Sequence, residues 1–138
     1  MAVPIDIEYT GKLRCQAVHR PSQSTLATDA PIDNGGRGAL FSPTDLVATA
    51  LGTCLVTIMG MVAERHGWDI CGTRVEVVKE MVADPTRRIG VLHTTITLPP
   101  GRTWSSADRQ RLEKAALTCP VKQSLHPDVQ TPMKFVYP

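Results

Sequence analysis

One uninterrupted apolar stretch constrains this chain more than anything else in it. Residues 46–63 carry no charge, with Ser42-Pro43-Thr44-Asp45 before them and Glu64-Arg65-His66-Gly67 after. A serine three residues ahead of an acid has capping-box spacing, in which hydroxyl and carboxylate each satisfy a free backbone N–H. Pro43 falls at the first helical position, where its missing N–H costs nothing, and Gly67 suits the left-handed cap. A helix over Ser42–Gly67 is predicted. Apolar residues occur on all its sides, so most of its circumference is expected to be buried. Cys54 shares a face with Val47, Ala50, Leu51 and Ile58, which puts a thiol in the core rather than on a loop. Eighteen uncharged residues also reach the length of a membrane span. Ala48, Thr49, Ala50, Gly52, Thr53, Thr57 and Gly60 lower the hydropathy, however, and charged, strand-like sequence follows at once. A buried central helix, and no membrane association, is the expectation.

The flanking sequence reads as strands and one further helical segment. Ile5–Tyr9 and Leu13–Val18 alternate around Thr10-Gly11-Lys12 as a hairpin, and Ser24–Thr28 offers a third strand. Residues 29–41 are rich in Gly, Asp, Asn and Pro and form a loop. Its glycines lack a phosphate-binding pattern and the strand–helix setting such a pattern needs. Thr73–Val82 and Ile89–Leu98 pair across Ala83-Asp84-Pro85-Thr86. Ser105-Ser106-Ala107-Asp108 opens a second helix, whose Leu112, Ala115, Ala116 and Cys119 lie on one face, with Arg109, Arg111, Glu113 and Lys114 toward water. Pro120 interrupts that helix, Val121–Leu125 add one more turn, and residues 131–137 form a last strand. The order βββ–α–ββ–α–β predicts a single α+β domain over residues 1–138, with antiparallel sheets packed around the central helix. So few elements cannot cover that helix on every side, which predicts an intertwined homodimer.

Several function classes fall away. Lys+Arg 15 against Asp+Glu 13, scattered along the chain, with two each of Trp, Tyr and Phe, give no nucleic-acid signature. The start, MAVPIDIEYTGKLR, has no apolar run of a secretory signal, so the chain reads as cytoplasmic, where permanent disulfides are rare. The cysteines are Cys15, Cys54, Cys71 and Cys119; no CxxC occurs, and His19, His66, His93 and His126 fit no zinc spacing, so no metal is expected. Cys15 and Cys71 sit at strand or strand-edge positions and read as small hydrophobes. Cys54 and Cys119 each project from an apolar helix face. Either they are unrelated core residues, or packed helices bring their Cα atoms within the ~7 Å a disulfide needs. Burial alone leaves a thiol inert, whereas chemistry requires thiolate. Lowering a thiol pKa by about two units takes about 2.7 kcal/mol of preference for the anion. A guanidinium is suited to supply it, and Arg14 and Arg37 are the candidates.

Ser42-Pro43-Thr44-Asp45-Leu46, then Ala50-Leu51-Gly52-Thr53-Cys54, then Thr118-Cys119-Pro120-Val121 with Ser124-Leu125, resemble the osmotically inducible protein C and organic hydroperoxide resistance family, in its broader OsmC-like branch. The likeness runs over essentially the whole chain, and Cys54 and Cys119 stand 65 positions apart, as suits that family's reactive pair. It implies an intertwined homodimer and a cofactor-free, cysteine-based peroxidase acting on organic hydroperoxides. Cys54 matches the peroxidatic cysteine, Cys119 the resolving one, and Arg14 the arginine that meets the peroxidatic sulfur. An acid often pairs with that arginine. Thr44 stands where it is commonly found, and Asp45 is the nearest acid. Leu51, Leu55, Ile58 and Met59, with Met61 and Val62 if a partner chain closes over them, are expected to line an apolar substrate pocket. An external thiol or dithiol is the implied reductant. The alternative is a stress-response or binding protein of the same fold with little or no peroxidase activity.

Overall fold

The computed structural model describes all 138 residues. Its elements run β1 (Ile5–Gly11), β2 (Arg14–His19), β3 (Ser24–Asp29), a 3-10 turn at Ile32–Asn34, α1 (Pro43–His66), β4 (Arg74–Val82), β5 (Arg88–Thr97), α2 (Ser106–Leu117), α3 (Pro120–Ser124) and β6 (Met133–Val136). The expected α+β class holds. The chain divides into two compact units, Met1–Val47 and Ala48–Pro138.

In the first unit β1, β2 and β3 form an antiparallel meander, with Ile7 opposite Ala17 and Ala17 opposite Leu26. Side chains alternate across a pleated sheet, so Ile5, Ile7, Tyr9, Cys15, Ala17 and Leu26 share one face, while Asp6, Glu8 and Gln16 share the other. The apolar face is open, with Ile7 70% and Tyr9 63% exposed. The glycine-rich segment folds back on the end of β3: Asp29 N–H donates to Phe41 O at 3.1 Å and Gly38 N–H to Ala30 O at 3.2 Å. A Cβ on Gly36 would collide with the Ala30 carbonyl, so this glycine serves a close backbone approach.

The capping box at the start of α1 forms as its spacing predicts. Asp45 N–H donates to Ser42 Oγ at 3.1 Å, and Ser42 N–H donates to Asp45 Oδ2 at 2.9 Å. Gly67 ends the helix at φ +69°. Burial, however, falls short of the expectation. Ala48, Leu51, Gly52, Leu55, Met59 and Ala63 form one buried stripe, while Thr49, Thr53, Thr57 and Met61 are exposed. A three-stranded sheet and two short helices cannot wrap a 24-residue rod. By length and composition alone α1 could cross a membrane, a test that core helices of soluble proteins also pass.

In the second unit the buried stripe of α1 lies on the β4–β5–β6 sheet. Leu51, Leu55 and Met59 join Leu92, Ile96 and Leu98 of β5 and its end, Leu112 and Ala116 of α2, and Trp104 in one core. Gly52 lets helix and strand approach: a Cβ there would sit 3.0 Å from Val77 Cγ2 and 3.3 Å from Val75 Cγ1. β4 and β5 pair antiparallel as expected. β6 instead runs parallel to β5, with Ile96 opposite Phe135. The chain returns through α2 and α3 before re-entering the sheet, and such a crossover brings a strand back in the same direction.

Candidate functional site

The second unit holds the cysteine pair. Cys54 lies near the middle of α1 on the flank of its buried stripe, three residues beyond Leu51 and four before Ile58, and is partly exposed. Cys119 is wholly buried. The helical spacing placed Cys119 on the face of α2, but α2 ends at Leu117. The residue before a proline is pushed out of helical geometry, and Cys119, before Pro120, has φ −51° and ψ 123° and caps α3. Lys122 N–H donates to its Sγ at 3.5 Å.

Both cysteines pack into the same apolar cluster, near enough for the Cys54 thiol to act on that of Cys119. Burial first, and then the neighbouring Cys54 thiol, push the Cys119 thiol above its ordinary value; the N–H groups of Lys122 and Val121 act in the opposite direction. Cys119 is thereby held as S–H and has to lose its proton before its sulfur can attack. Leu51, Leu55 and Met59 have no exposed surface and form the packed floor beside the pair, whereas Ile58 is partly exposed, Val62 likewise, and Met61 is open. Cys15, on β2, is half-buried, while Cys71 lies exposed in the turn before β4, where its N–H donates to Asp69 Oδ1 at 2.8 Å.

The first unit holds the arginine candidates. Arg14 and Asp29 are opposite each other in the β2–β3 register, with Nη2 3.5 Å from Oδ2. Asp29 is 1% exposed, and the same Oδ2 accepts Ala39 N–H at 3.1 Å. The Ala39 N–H is the main cause holding the Asp29 carboxyl below the usual range, followed by Arg14, with the Arg37 backbone N–H adding a smaller part; burial opposes them. Arg37 thus meets Asp29 through its backbone, and Arg14 through its guanidinium. Asp45, the acid the sequence offered as arginine partner, closes the α1 cap. Sequence reasoning overlooked Asp29 because it opens a Gly- and Pro-rich run; its place opposite Arg14 was the available signal. No group of three or more His, Cys, Asp or Glu side chains could hold a metal ion.

A family model described as OsmC-like protein matches residues 35–134. Among solved structures, a protein of Psychrobacter arcticus 273-4, provisionally named an osmotic stress induced and detoxification response protein, is 42% identical, with 95% of this chain and 93% of that one covered and a TM-score of 0.89. The organic hydroperoxide resistance protein OsmC of Legionella pneumophila is 14% identical over 99% and 97% of the two chains, with a TM-score of 0.77. The organic hydroperoxide resistance protein OhrB of Bacillus subtilis is 16% identical over 98% of each, with a TM-score of 0.68. These two likenesses establish the fold alone. No curated protein matches the chain in sequence.

Proposed function

Because the chain belongs to the OsmC-like family, we propose that it is a cytoplasmic, homodimeric, thiol-dependent peroxidase that reduces organic hydroperoxides in oxidative-stress defence. One observation carries the reading: Cys54 and Cys119, far apart in the chain, pack as neighbours into one apolar cluster. The relatives' names agree in kind, speaking of hydroperoxide resistance and of detoxification.

In this reading the Cys54 thiolate attacks the outer oxygen of R–O–O–H, the O–O bond breaks, and the alkoxide leaves as the alcohol after taking a proton. Cys54 becomes a sulfenic acid. Cys119 then gives up its proton and its sulfur attacks that of Cys54; the departing hydroxide takes the proton and leaves as water, and a Cys54–Cys119 disulfide remains. Two equivalents of an external thiol, or one dithiol, restore the pair. Only the thiolate is a good nucleophile, so a fixed cation beside Cys54 is needed. Arg14 is assigned that part, with Asp29 as the acid that orients it, the role first offered to Asp45. Ile58, with Met61 and Val62, presents an apolar wall that suits alkyl chains and gives hydrogen peroxide little.

The test is consumption of cumene hydroperoxide with a dithiol reductant by the wild-type protein and by Cys54→Ser. Turnover should vanish in the variant. Full activity without the Cys54 sulfur would overturn the mechanism, and no consumption by the wild type would leave a binding protein of the same fold.

A further inference from the structure

Of the three non-glycine residues with positive φ, Lys12 (54°) and Leu13 (62°) are consecutive and close the turn from β1 to β2; the third is Gln23 (59°). A two-residue hairpin turn with both residues left-handed ordinarily uses Asn-Gly. A residue as bulky as leucine is an outlier there, and such a conformation persists only where its surroundings over-determine it. The surroundings of Leu13 do so. Its N–H donates to Tyr9 Oη at 3.3 Å, its carbonyl accepts the Ala30 N–H at 3.2 Å, and its Cδ1 lies 3.5 Å from where a Cβ on Gly35 would stand. Strand β1, the residue just beyond β3 and the glycine-rich loop thus converge on one residue. Leu13 is 47% exposed, so packing of its side chain does not by itself account for the strain.

The next residue is Arg14. Its carbonyl accepts the Thr10 hydroxyl at 3.2 Å, and its guanidinium meets Asp29 at 3.5 Å. That second contact is at the long limit of a hydrogen bond, so Asp29 alone does not fix a long side chain at its far end. We infer that Leu13 is a positioning residue for Arg14: its left-handed backbone, tied on three sides, fixes the start of β2 and with it the direction in which the Arg14 side chain leaves the strand. Asp29 holds the guanidinium and Leu13 holds the root. The inference rests on the part assigned to Arg14 in the function proposed above and adds what keeps that arginine in place.

Two substitutions separate the backbone of Leu13 from its side chain. Isoleucine has the atoms of leucine but branches at Cβ, and a β-branched residue tolerates positive φ badly. Glycine lacks the side chain and takes that conformation freely. If Leu13 acts through its backbone, glycine replaces it and isoleucine does not. A residue that acts through Arg14 also falls silent once Arg14 is gone, which a double-mutant cycle reads directly.

The experiment follows alkylation of Cys54 by iodoacetamide in the full chain as a function of pH, with peptide mass mapping to separate Cys54 from the other cysteines. The proteins are the wild type, Leu13→Ile, Leu13→Gly, Arg14→Gln and the double variant Leu13→Ile, Arg14→Gln. Arg14→Gln should slow alkylation at neutral pH by about tenfold and move its profile to higher pH, as loss of a cation beside a thiolate does. Leu13→Ile should move the profile the same way with a slowing of at least about threefold, and should add nothing in the Arg14→Gln background. Leu13→Gly should stay within about twofold of the wild type. With Arg14→Gln slow, any of three results overturns the inference and leaves the role of Arg14 standing: no loss in Leu13→Ile, equal losses in the Ile and Gly variants, or the same loss from Leu13→Ile with and without Arg14. An Arg14→Gln protein as fast as the wild type overturns that role and the inference with it. Alkylation involves no peroxide, so a wild type that consumes no cumene hydroperoxide overturns the peroxidase reading alone. Thermal unfolding checks that each variant is folded. If Leu13→Ile is not, Tyr9→Phe, which removes only the hydroxyl that holds the Leu13 N–H, takes its place in the comparison with and without Arg14.

Discussion

Arg14 and Asp29 stand opposite each other at the ends of β2 and β3, and the Asp29 carboxylate that meets the guanidinium also takes the Ala39 N–H from the glycine-rich loop. One buried acid therefore fixes both an arginine on the sheet and the loop that returns over it. A buried carboxylate is costly unless it is paired and hydrogen-bonded, so the three groups stand or fall together.

That arrangement predicts a pH signature. The Ala39 N–H and then Arg14 hold the folded-state pKa of Asp29 below its unfolded value. Its contribution to stability is present above the unfolded value of about 3.9 and is lost as pH falls through the lower folded one. Asp29→Asn should lower Tm at neutral pH, and its Tm should converge with that of the wild type in strong acid. Asp6, also held down by its partner Arg20, titrates in both proteins and cancels in the difference. A Tm gap that stays constant from pH 7 into strong acid would refute the assignment.

How far these features were legible in the sequence differs from one to the next. The β2–β3 turn was visible, and five steps back along each strand from the His19–Ser24 pair lead to Arg14 and Asp29. The sequence pattern ends the third strand at Thr28 instead, because an aspartate leading into Pro and Gly carries every signal of a loop. Burial that depends on a partner across the sheet leaves no trace in hydropathy. The capping residues, Pro43 and Gly67 announced α1 because capping is local chemistry. Cys119 fits the period of α2 and yet lies beyond its end, since the restriction imposed by Pro120 overrides the spacing. The direction of β6 was not readable, because it depends on the route of the intervening chain. The apolar circumference of α1 promised cover that this single chain supplies along one stripe only.

If Cys119 only resolves the sulfenic acid, its loss should spare the first chemical step. Cys119→Ser should react with one equivalent of cumene hydroperoxide at a rate within about threefold of the wild type, because the O–O attack is made by the other sulfur. The sulfenic acid on Cys54 should then be captured by dimedone, and further peroxide should drive it to sulfinic acid. Stopped-flow measurement of the first turnover and peptide mass mapping would read these outcomes. Loss of the first step along with turnover would show that Cys119 takes part in activating Cys54.

The contact between α1 and β4 leaves no space at Gly52. An added methyl would meet Val77 Cγ2 at 3.0 Å and Val75 Cγ1 at 3.3 Å. Overpacking costs roughly 1–3 kcal/mol, against about 1 kcal/mol that alanine gains over glycine inside a helix. Gly52→Ala should therefore lower stability in urea unfolding. The loss should shrink in a Val77→Ala background, because the methyl it meets has been removed. An equal loss in both backgrounds would place the strain elsewhere.

The proposed dimer can be tested at the open face of the first unit, where Ile5, Ile7, Tyr9 and Leu26 are all close to half exposed or more. Patches of this kind on a soluble chain mark interaction surfaces. Light scattering should give the wild type twice its 15.0 kDa chain mass. Placing an ammonium on the face by Ile7→Lys removes about 1.5–3 kcal/mol of apolar burial, which weakens association by roughly 10- to 100-fold. A wild-type protein at the mass of one chain, or a variant as tightly paired as the wild type, would rule this face out as the interface.

Tyr137 offers a prediction at the alkaline end. Burial first, and then the nearby Glu113 carboxylate, push its phenol up to about 12, while Arg109 pulls the other way. Arg109, expected to point only toward water, lies with its guanidinium 4.4 Å from the centre of the Tyr137 ring. A folded-state pKa above the unfolded value of about 10 means that the contribution of Tyr137 is fully present below pH 10. It is lost as pH rises toward the folded value, because the unfolded chain releases the phenolic proton first. Tyr137→Phe cannot ionise and escapes that loss. The Tm of the wild type should therefore fall relative to Tyr137→Phe between about pH 10 and 12. At neutral pH the variant should match or exceed the wild type, since the Tyr137 Oη is buried without a hydrogen-bond partner in the protein and its removal leaves no polar group unsatisfied. Absorbance titration of tyrosinate in the two proteins isolates the group directly, and a difference curve centred near pH 10 would show that the phenol is not buried as described.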